Sequence, residues 1–227
     1  MKKVILIISA ILVLLSWINI EYAFVQSKIL RIIISSIFLF FALRVGHIGK
    51  NAGVIPFVLL PLCDVFLLVW EEDFIKLAYY VTHIIFLLTL MVLTVRVLGR
   101  VRVTIFDIIV LGAFFGINSF ILLYLGQFFS IDSQSDILEV TFYINGFLII
   151  GLVLIAFFFS IHQANTLTSY FFLGVLLLSL SELVVYAILF MDQKNWQNID
   201  NLLYVISLFF LVRSFQEHVI FVERETD

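Results

Sequence analysis

The sequence predicts an all-α polytopic membrane bundle of about eight transmembrane helices, and three observations carry that prediction. Of the 227 residues, 63% are hydrophobic and only 13% charged, far from the balance of a soluble globular domain. Apolar runs near the length of a bilayer crossing recur from one end of the chain to the other. The polar stretches between them are too short for a soluble domain, so residues 1–227 read as one integral membrane domain. Helices are the open-ended choice, because lipid cannot satisfy an unpaired backbone hydrogen bond.

The elements follow in order. The start, MKKVILIISAILVLLSW, has the basic and apolar parts of a signal peptide. Its apolar run continues to about Phe24 without a small-x-small cleavage site, so it reads as a retained first span over 4–24. The second span covers 29–45, after Lys28. The third, 52–70, holds both prolines of the chain, Pro56 and Pro61, together with Asp64. The fourth covers 74–95 and ends in the basic cluster VRVLGRVRV at 95–103. The fifth to eighth cover 103–129, 136–161, 168–191 and 198–216.

Lys and Arg set the expected orientation. With a cytoplasmic N-terminus, Lys2, Lys3, Arg44, Lys50, Arg96, Arg100, Arg102, Arg213 and Arg224 lie inside, and Lys28, Arg31, Lys76 and Lys194 outside. Nine against four satisfies the positive-inside bias. The acidic loop residues Glu71, Glu72, Asp73, Asp132, Asp136, Asp192 and Asp200 fall outside. Both termini are then cytoplasmic, and the expected location is a bacterial inner (plasma) membrane.

The basic cluster also divides the chain into two groups of four spans, 1–98 and 103–217. Aligning LPLCDVFLL with LSLSELVVY sets Asp64 over Glu182 and Cys63 over Ser181. A parallel repeat of four plus four, with a site at the repeat interface, fits that match.

Asp64 and Glu182 are the two carboxylates placed well inside apolar segments. A charge near the bilayer centre costs about 2.5–3.5 kcal/mol on the mildest scales, so such residues usually face inward, find partners and mark function. His83 in the fourth span falls at a similar depth, with Tyr79 and Tyr80 one turn nearer the same end. Asn118 and Ser119, Tyr143 and Asn145, and Tyr204 and Ser207 fall in that half too, with Asn19 and Glu21 near its edge. Together they predict a polar pocket in the outer half. Taken singly, Asn118, Asn145, Ser119 and Ser207 read as interhelical hydrogen-bonding groups, and Gly112 and Gly116 as a GxxxG helix contact. Tyrosines at span ends are ordinary interfacial residues, and Glu21 and Lys28 can snorkel. Asp107 is expected to pair with Arg100 or Arg102.

Two carboxylates in one low-dielectric pocket suit acid–base work, one carrying a proton and the other a base or charge stabiliser. His83 is a candidate proton relay or phosphate ligand. No metal site and no cofactor is expected. The single Cys63 excludes a disulfide framework and a multi-thiolate site, and the four histidines lie at different depths. No basic patch tracks nucleic acid, and no G-x-S-x-G elbow is present.

The order Lys28-Ile29-Leu30, Cys63-Asp64-x-x-Leu67, His83, Ser181-Glu182 and Tyr204 resembles the YhhN/TMEM86 family over roughly residues 28–210. Ile29, Cys63 and Glu182 stand where the family pattern has proline, glycine and aspartate. The resemblance implies an eight-helix lysoplasmalogenase, which hydrolyses the vinyl ether of a lysophospholipid to a fatty aldehyde and a glycerophospho-headgroup. It implies that Asp64 and Glu182 divide the catalytic roles, with Lys28 or His83 on the phosphate and Tyr204, Asn118 and Asn145 lining the substrate. The rival readings are a proton-coupled carrier and a non-catalytic membrane sensor or subunit. The partner expected is membrane lipid, a lysophospholipid substrate, with no nucleic acid, and a homo-oligomer is compatible with the sequence.

Overall fold

A computed structural model describes residues 24–46, 51–98, 103–132, 136–163, 165–190 and 196–226, with residue 11 beside them. Every regular element among these is helical. The α-helices are α1 (Phe24–Gly46), α2 (Ile55–Leu68), α3 (Asp73–Leu98), α4 (Ile105–Asp132), α5 (Asp136–Gln163), α6 (Thr166–Phe190) and α7 (Gln197–Thr226), with a 3-10 turn at Asn51–Val54 before α2. They correspond to the second to eighth expected spans. The first, 4–24, lies almost wholly outside the described residues, so the described residues form seven α-helices where eight spans are expected. The five helices α3 to α7 are long and apolar enough to cross a membrane, which makes the chain a multi-pass helical membrane bundle.

The third span differs most from expectation. Instead of a crossing over 52–70, α2 has 14 residues. At 1.5 Å per residue it rises about 21 Å, well short of a hydrocarbon core of about 30 Å. Pro56 occupies its first turn, where a missing N–H costs nothing, and Pro61 lies inside it. At its far end the N–H of Val69 turns back to the carbonyl of Phe66 at 3.2 Å, and Trp70 follows.

Six helices close a ring. α1 packs on α2, α2 on α3, α3 on α5, α5 on α6, α6 on α7, and α7 returns to α1. α4 stays outside the ring against α5, with slight contact to α6, and only 6% of its apolar span is buried. The core is a helical stripe from each ring member. On α1 the buried positions are Leu30, Arg31, Ile34, Ser35, Phe38, Phe41 and Ala42, while Ile29, Ile33, Phe40 and Leu43 face outward. Outward-facing apolar side chains are unremarkable here, because lipid tails are as apolar as leucine.

The close helix contacts fall elsewhere than at the GxxxG. A Cβ on Gly112 or Gly116 would meet nothing within 4 Å, so these glycines lie on an open face of α4. The tight approaches use Gly174 of α6, where a Cβ would stand 3.0 Å from the backbone nitrogen of Leu211 on α7, and Gly146 of α5 against Leu122 of α4. Asp107 caps its own helix. It accepts from the backbone N–H and hydroxyl of Thr104 at 2.8 and 2.7 Å, while its own N–H donates to that hydroxyl at 3.2 Å. That reciprocal cap starts α4, and the carboxyl group also lies 3.3 Å from His162 Nε2 of α5; the expected partners Arg100 and Arg102 lie outside the described residues.

Candidate functional site

Near the ring end that carries residues 69–72 and Trp196, the helices converge on one buried guanidinium. Arg31 is 4% exposed, and three carboxyl groups from three helices surround it. Its Nε donates to Asp64 Oδ1 at 2.8 Å from α2, and its Nη2 to Glu182 Oε1 at 2.8 Å from α6. Its Nη1 donates to both oxygens of Asp200 on α7, at 2.9 and 3.0 Å, and lies 3.4 Å from the Ser181 hydroxyl. The face of the guanidinium rests on the Tyr204 ring, 4.0 Å from its centroid.

Each carboxylate receives one further hydroxyl. Tyr204 donates to Asp64 Oδ2 at 2.8 Å, Tyr79 of α3 to Glu182 Oε2 at 2.7 Å, and Ser181 to Asp200 Oδ1. This is how buried charge becomes tolerable: every charged group of the cluster is paired, and each carboxylate accepts a further hydroxyl hydrogen bond. Beside this cluster, α5 and α3 are joined by a 2.8 Å hydrogen bond between Asn145 Oδ1 and His83 Nδ1. The His83 ring stacks on Tyr79, with centroids 5.5 Å apart, and on Phe86 at 5.4 Å. Its Nε2 is buried without a hydrogen-bond partner among the described residues. All six ring helices thus contribute a side chain.

A cavity of about 420 Å³ opens against this cluster, between α4, α5 and α6 and the upper parts of α2 and α3. From Phe142 to Phe157 of α5, its wall runs about 22 Å at helical rise. Among the described residues Glu182 is the charged one that lines it; Asn118, Asn145 and Ser179 are further polar groups on the wall. Asp64 and Arg31 do not reach it, lying behind Glu182. A second cavity of about 30 Å³ is lined by Lys28, Arg31, Gln197 and Asp200, and shares Leu67, Val185 and Leu189 with the large one.

The expected site residues therefore divide. Asp64, Glu182 and Tyr204 meet directly around Arg31. His83 and Asn145 form a neighbouring pair, tied to Glu182 through Tyr79. Lys28 is half-buried at the small cavity, and Asn118 lines the large one while donating to the Phe114 carbonyl of its own helix at 2.8 Å. Ser207 likewise bonds within its helix, to the Tyr204 carbonyl at 2.8 Å, so among the described residues neither links two helices, whereas Asn145 does. Asn19 and Glu21 lie outside the described residues.

Two residues of the cluster, Arg31 and Asp200, are expected from the sequence among the charges of the outer side. Arg31 and Asp200 are buried in the bundle rather than exposed beyond its end. Helical spacing holds the signal: Arg31, Ser35, Phe38 and Ala42 share one face of α1, and Asp200, Tyr204, Ser207 and Leu211 one face of α7, all buried. Tyr79 and Tyr80, read as interfacial, are each 4% exposed and belong to the same core. Comparison of the chain with protein-family models, with curated proteins and with solved structures finds no match.

Proposed function

We propose that the chain is a membrane-embedded lipid hydrolase of the lysoplasmalogenase kind, with Glu182 as the residue that meets the reacting bond. One observation carries the reading: a carboxyl group clamped by Arg31 and Tyr79 projects into a long apolar cavity of about 420 Å³. An alkenyl chain suits such a space, and 420 Å³ lies in the usual range for ligand pockets, about 300–1,000 Å³.

The chemistry balances on this one group. Glu182 in its acid form gives a proton to the vinyl carbon remote from oxygen, and the double bond's electrons form that C–H bond. The carboxylate so produced, held at 2.8 Å by Arg31 Nη2 and at 2.7 Å by Tyr79, faces the oxocarbenium ion. Water adds to the carbon bearing oxygen and returns a proton to Glu182, leaving a hemiacetal. Its collapse breaks the C–O bond to give the aldehyde and the headgroup alcohol. Asp64 orients the guanidinium, and Lys28, at the adjacent small cavity, is the phosphate contact. His83, enclosed by Asn145, Tyr79 and Phe86, positions Tyr79.

The finer architecture belongs to the same proposal. Neighbour relations support a four-plus-four repeat: α1 packs on α2 as α5 packs on α6, α2 on α3 as α6 on α7, and α3 on α5 as α7 on α1. Charge distribution supports the cluster end facing outward, with cytoplasmic termini, in a bacterial plasma membrane.

Purified protein given a lysoplasmalogen is expected to release fatty aldehyde. Glu182→Gln should cut the rate by at least about 100-fold, the lower range for a lost general acid. Asp64→Asn should reduce it as well. Full activity in both variants overturns the assignment. Absence of aldehyde, with solute counterflow in liposomes, favours a carrier instead.

A further inference from the structure

The cavity at Glu182 has an electrostatic character that a phosphate-bearing lipid does not explain. Glu182 lines it, and among the described residues no Lys or Arg does. Glu182 belongs to a cluster of three carboxyl groups around one guanidinium, with Asp64 and Asp200 behind it, so the formal balance of the whole cluster is minus two when all are ionised. A buried site of that kind attracts positive charge and repels anions, and low dielectric strengthens both effects.

The walls agree with the charge. Six aromatic side chains line the Glu182 end of the cavity: Trp70, Tyr79, Tyr80, Phe142, Tyr186 and Phe190. They form one connected box. Trp70 meets Tyr79 at 5.2 Å, Tyr80 at 5.8 Å and Phe190 at 6.3 Å; Phe142 meets Tyr80 and Tyr186; Tyr186 meets Phe190. Aromatic rings beside a carboxylate recognise alkylammonium groups, through ring quadrupoles and through charge. Farther along, toward Phe157 and Phe172, the wall is hydrocarbon, with Ile149, Val153 and Leu176 beside these phenylalanines. The cavity thus has a cation-seeking head and a hydrocarbon body.

We propose that this cavity binds single-chain amphiphiles with a positively charged ammonium head, the head at Glu182 within the aromatic box and the chain running along α5. The proposal stands on the cavity and not on hydrolysis. In the hydrolase reading the same feature would serve the oxocarbenium ion, and an ammonium amphiphile would compete with substrate.

The test uses the full chain in neutral maltoside micelles and three probes of equal chain length: dodecyltrimethylammonium, dodecanol and dodecyl sulfate. Binding is read from Trp70 fluorescence, by difference against Trp70→Phe protein. Dodecyltrimethylammonium should bind at least tenfold more tightly than dodecanol, and dodecyl sulfate more weakly than either. Glu182→Gln should bring the cation and the alcohol to equal affinity. Should that variant fail to fold, Tyr80→Leu is expected to weaken the cation at least threefold while leaving dodecanol unchanged. Equal affinity of cation and alcohol for the unaltered chain, or tighter binding of the sulfate, overturns the proposal. None of the probes has a vinyl ether, so this outcome is independent of whether the protein releases aldehyde.

Discussion

A guanidinium offers five N–H donors in one plane, and Arg31 directs them at three carboxylates on three helices. That geometry separates arginine from lysine, whose ammonium is a point charge with three rotatable donors and no flat face for Tyr204. Removing one partner of a buried ion pair costs about 3–5 kcal/mol, because the remaining charge is left unmatched in low dielectric. Arg31→Met leaves three such charges, so it should destabilise by at least that much. Arg31→Lys should recover only part of the loss. Adding Asp64→Asn and Asp200→Asn to Arg31→Met should restore stability relative to Arg31→Met alone, a coupling that thermal unfolding of the single and combined variants in micelles would measure. If Arg31→Met unfolds at the wild-type temperature, the cluster is not what holds these helices together. Tyr204→Phe keeps the ring under the guanidinium and removes one hydrogen bond to Asp64. Its expected cost is about 1.5–3 kcal/mol, that of a hydrogen bond to a charged group.

At the scale of elements, two glycine positions that look alike in sequence have opposite surroundings. Gly174 lets α6 approach α7 so closely that a methyl group would stand 2.8 Å from Leu211 Cγ and 3.0 Å from its backbone nitrogen. A side chain can rotate away but a backbone cannot, so Gly174→Ala must separate the two helices. Overpacking of this kind costs about 1–3 kcal/mol. Gly112→Ala and Gly116→Ala place a methyl on an open face of α4 and should change stability by less than about 0.5 kcal/mol. Thermal unfolding of the three variants distinguishes them, and equal effects would mean that the α6–α7 approach does not depend on glycine. The GxxxG spacing was legible in the sequence, but spacing says only that two glycines share a face, not that a neighbour covers it. The helices themselves were legible for a physical reason: hydrocarbon thickness sets the length of an apolar run, so six of the expected spans match a described α-helix to within a few residues at most ends. The short α2 was not, because an apolar run continues through Val69 and Trp70 after the helix has ended at Leu68.

For the whole molecule, the site was half legible, and the line between its halves is set by depth. Asp64 and Glu182 stand out because a carboxylate in mid-run has no cheap explanation. Arg31 and Asp200 sit near helix ends, where a charged residue is ordinarily solvated, so a linear reading counts them with the exposed charges of one side. Helical spacing puts each on a face shared with buried residues, and burial against the opposing helices shows their role in the cluster. Relocating both also changes the orientation argument. With Arg31 inside the bundle, the cationic residues expected outside fall from four to Lys28, Lys76 and Lys194, and the nine expected on the cytoplasmic side are unaffected. The bias therefore sharpens, and it predicts that the cluster end faces away from the cytoplasm. Cysteine labelling tests this with little background, since the native Cys63 is 3% exposed and a buried thiol reacts slowly. In a Cys63→Ser chain, Glu72→Cys lies at the exposed turn between α2 and α3, and Val103→Cys lies at the opposite end, before α4. A membrane-impermeant maleimide added to intact cells should modify Glu72→Cys at once and Val103→Cys only after permeabilisation. The reverse pattern would turn the molecule over, placing Lys28, Gln197 and the approach to the small cavity on the cytoplasmic side.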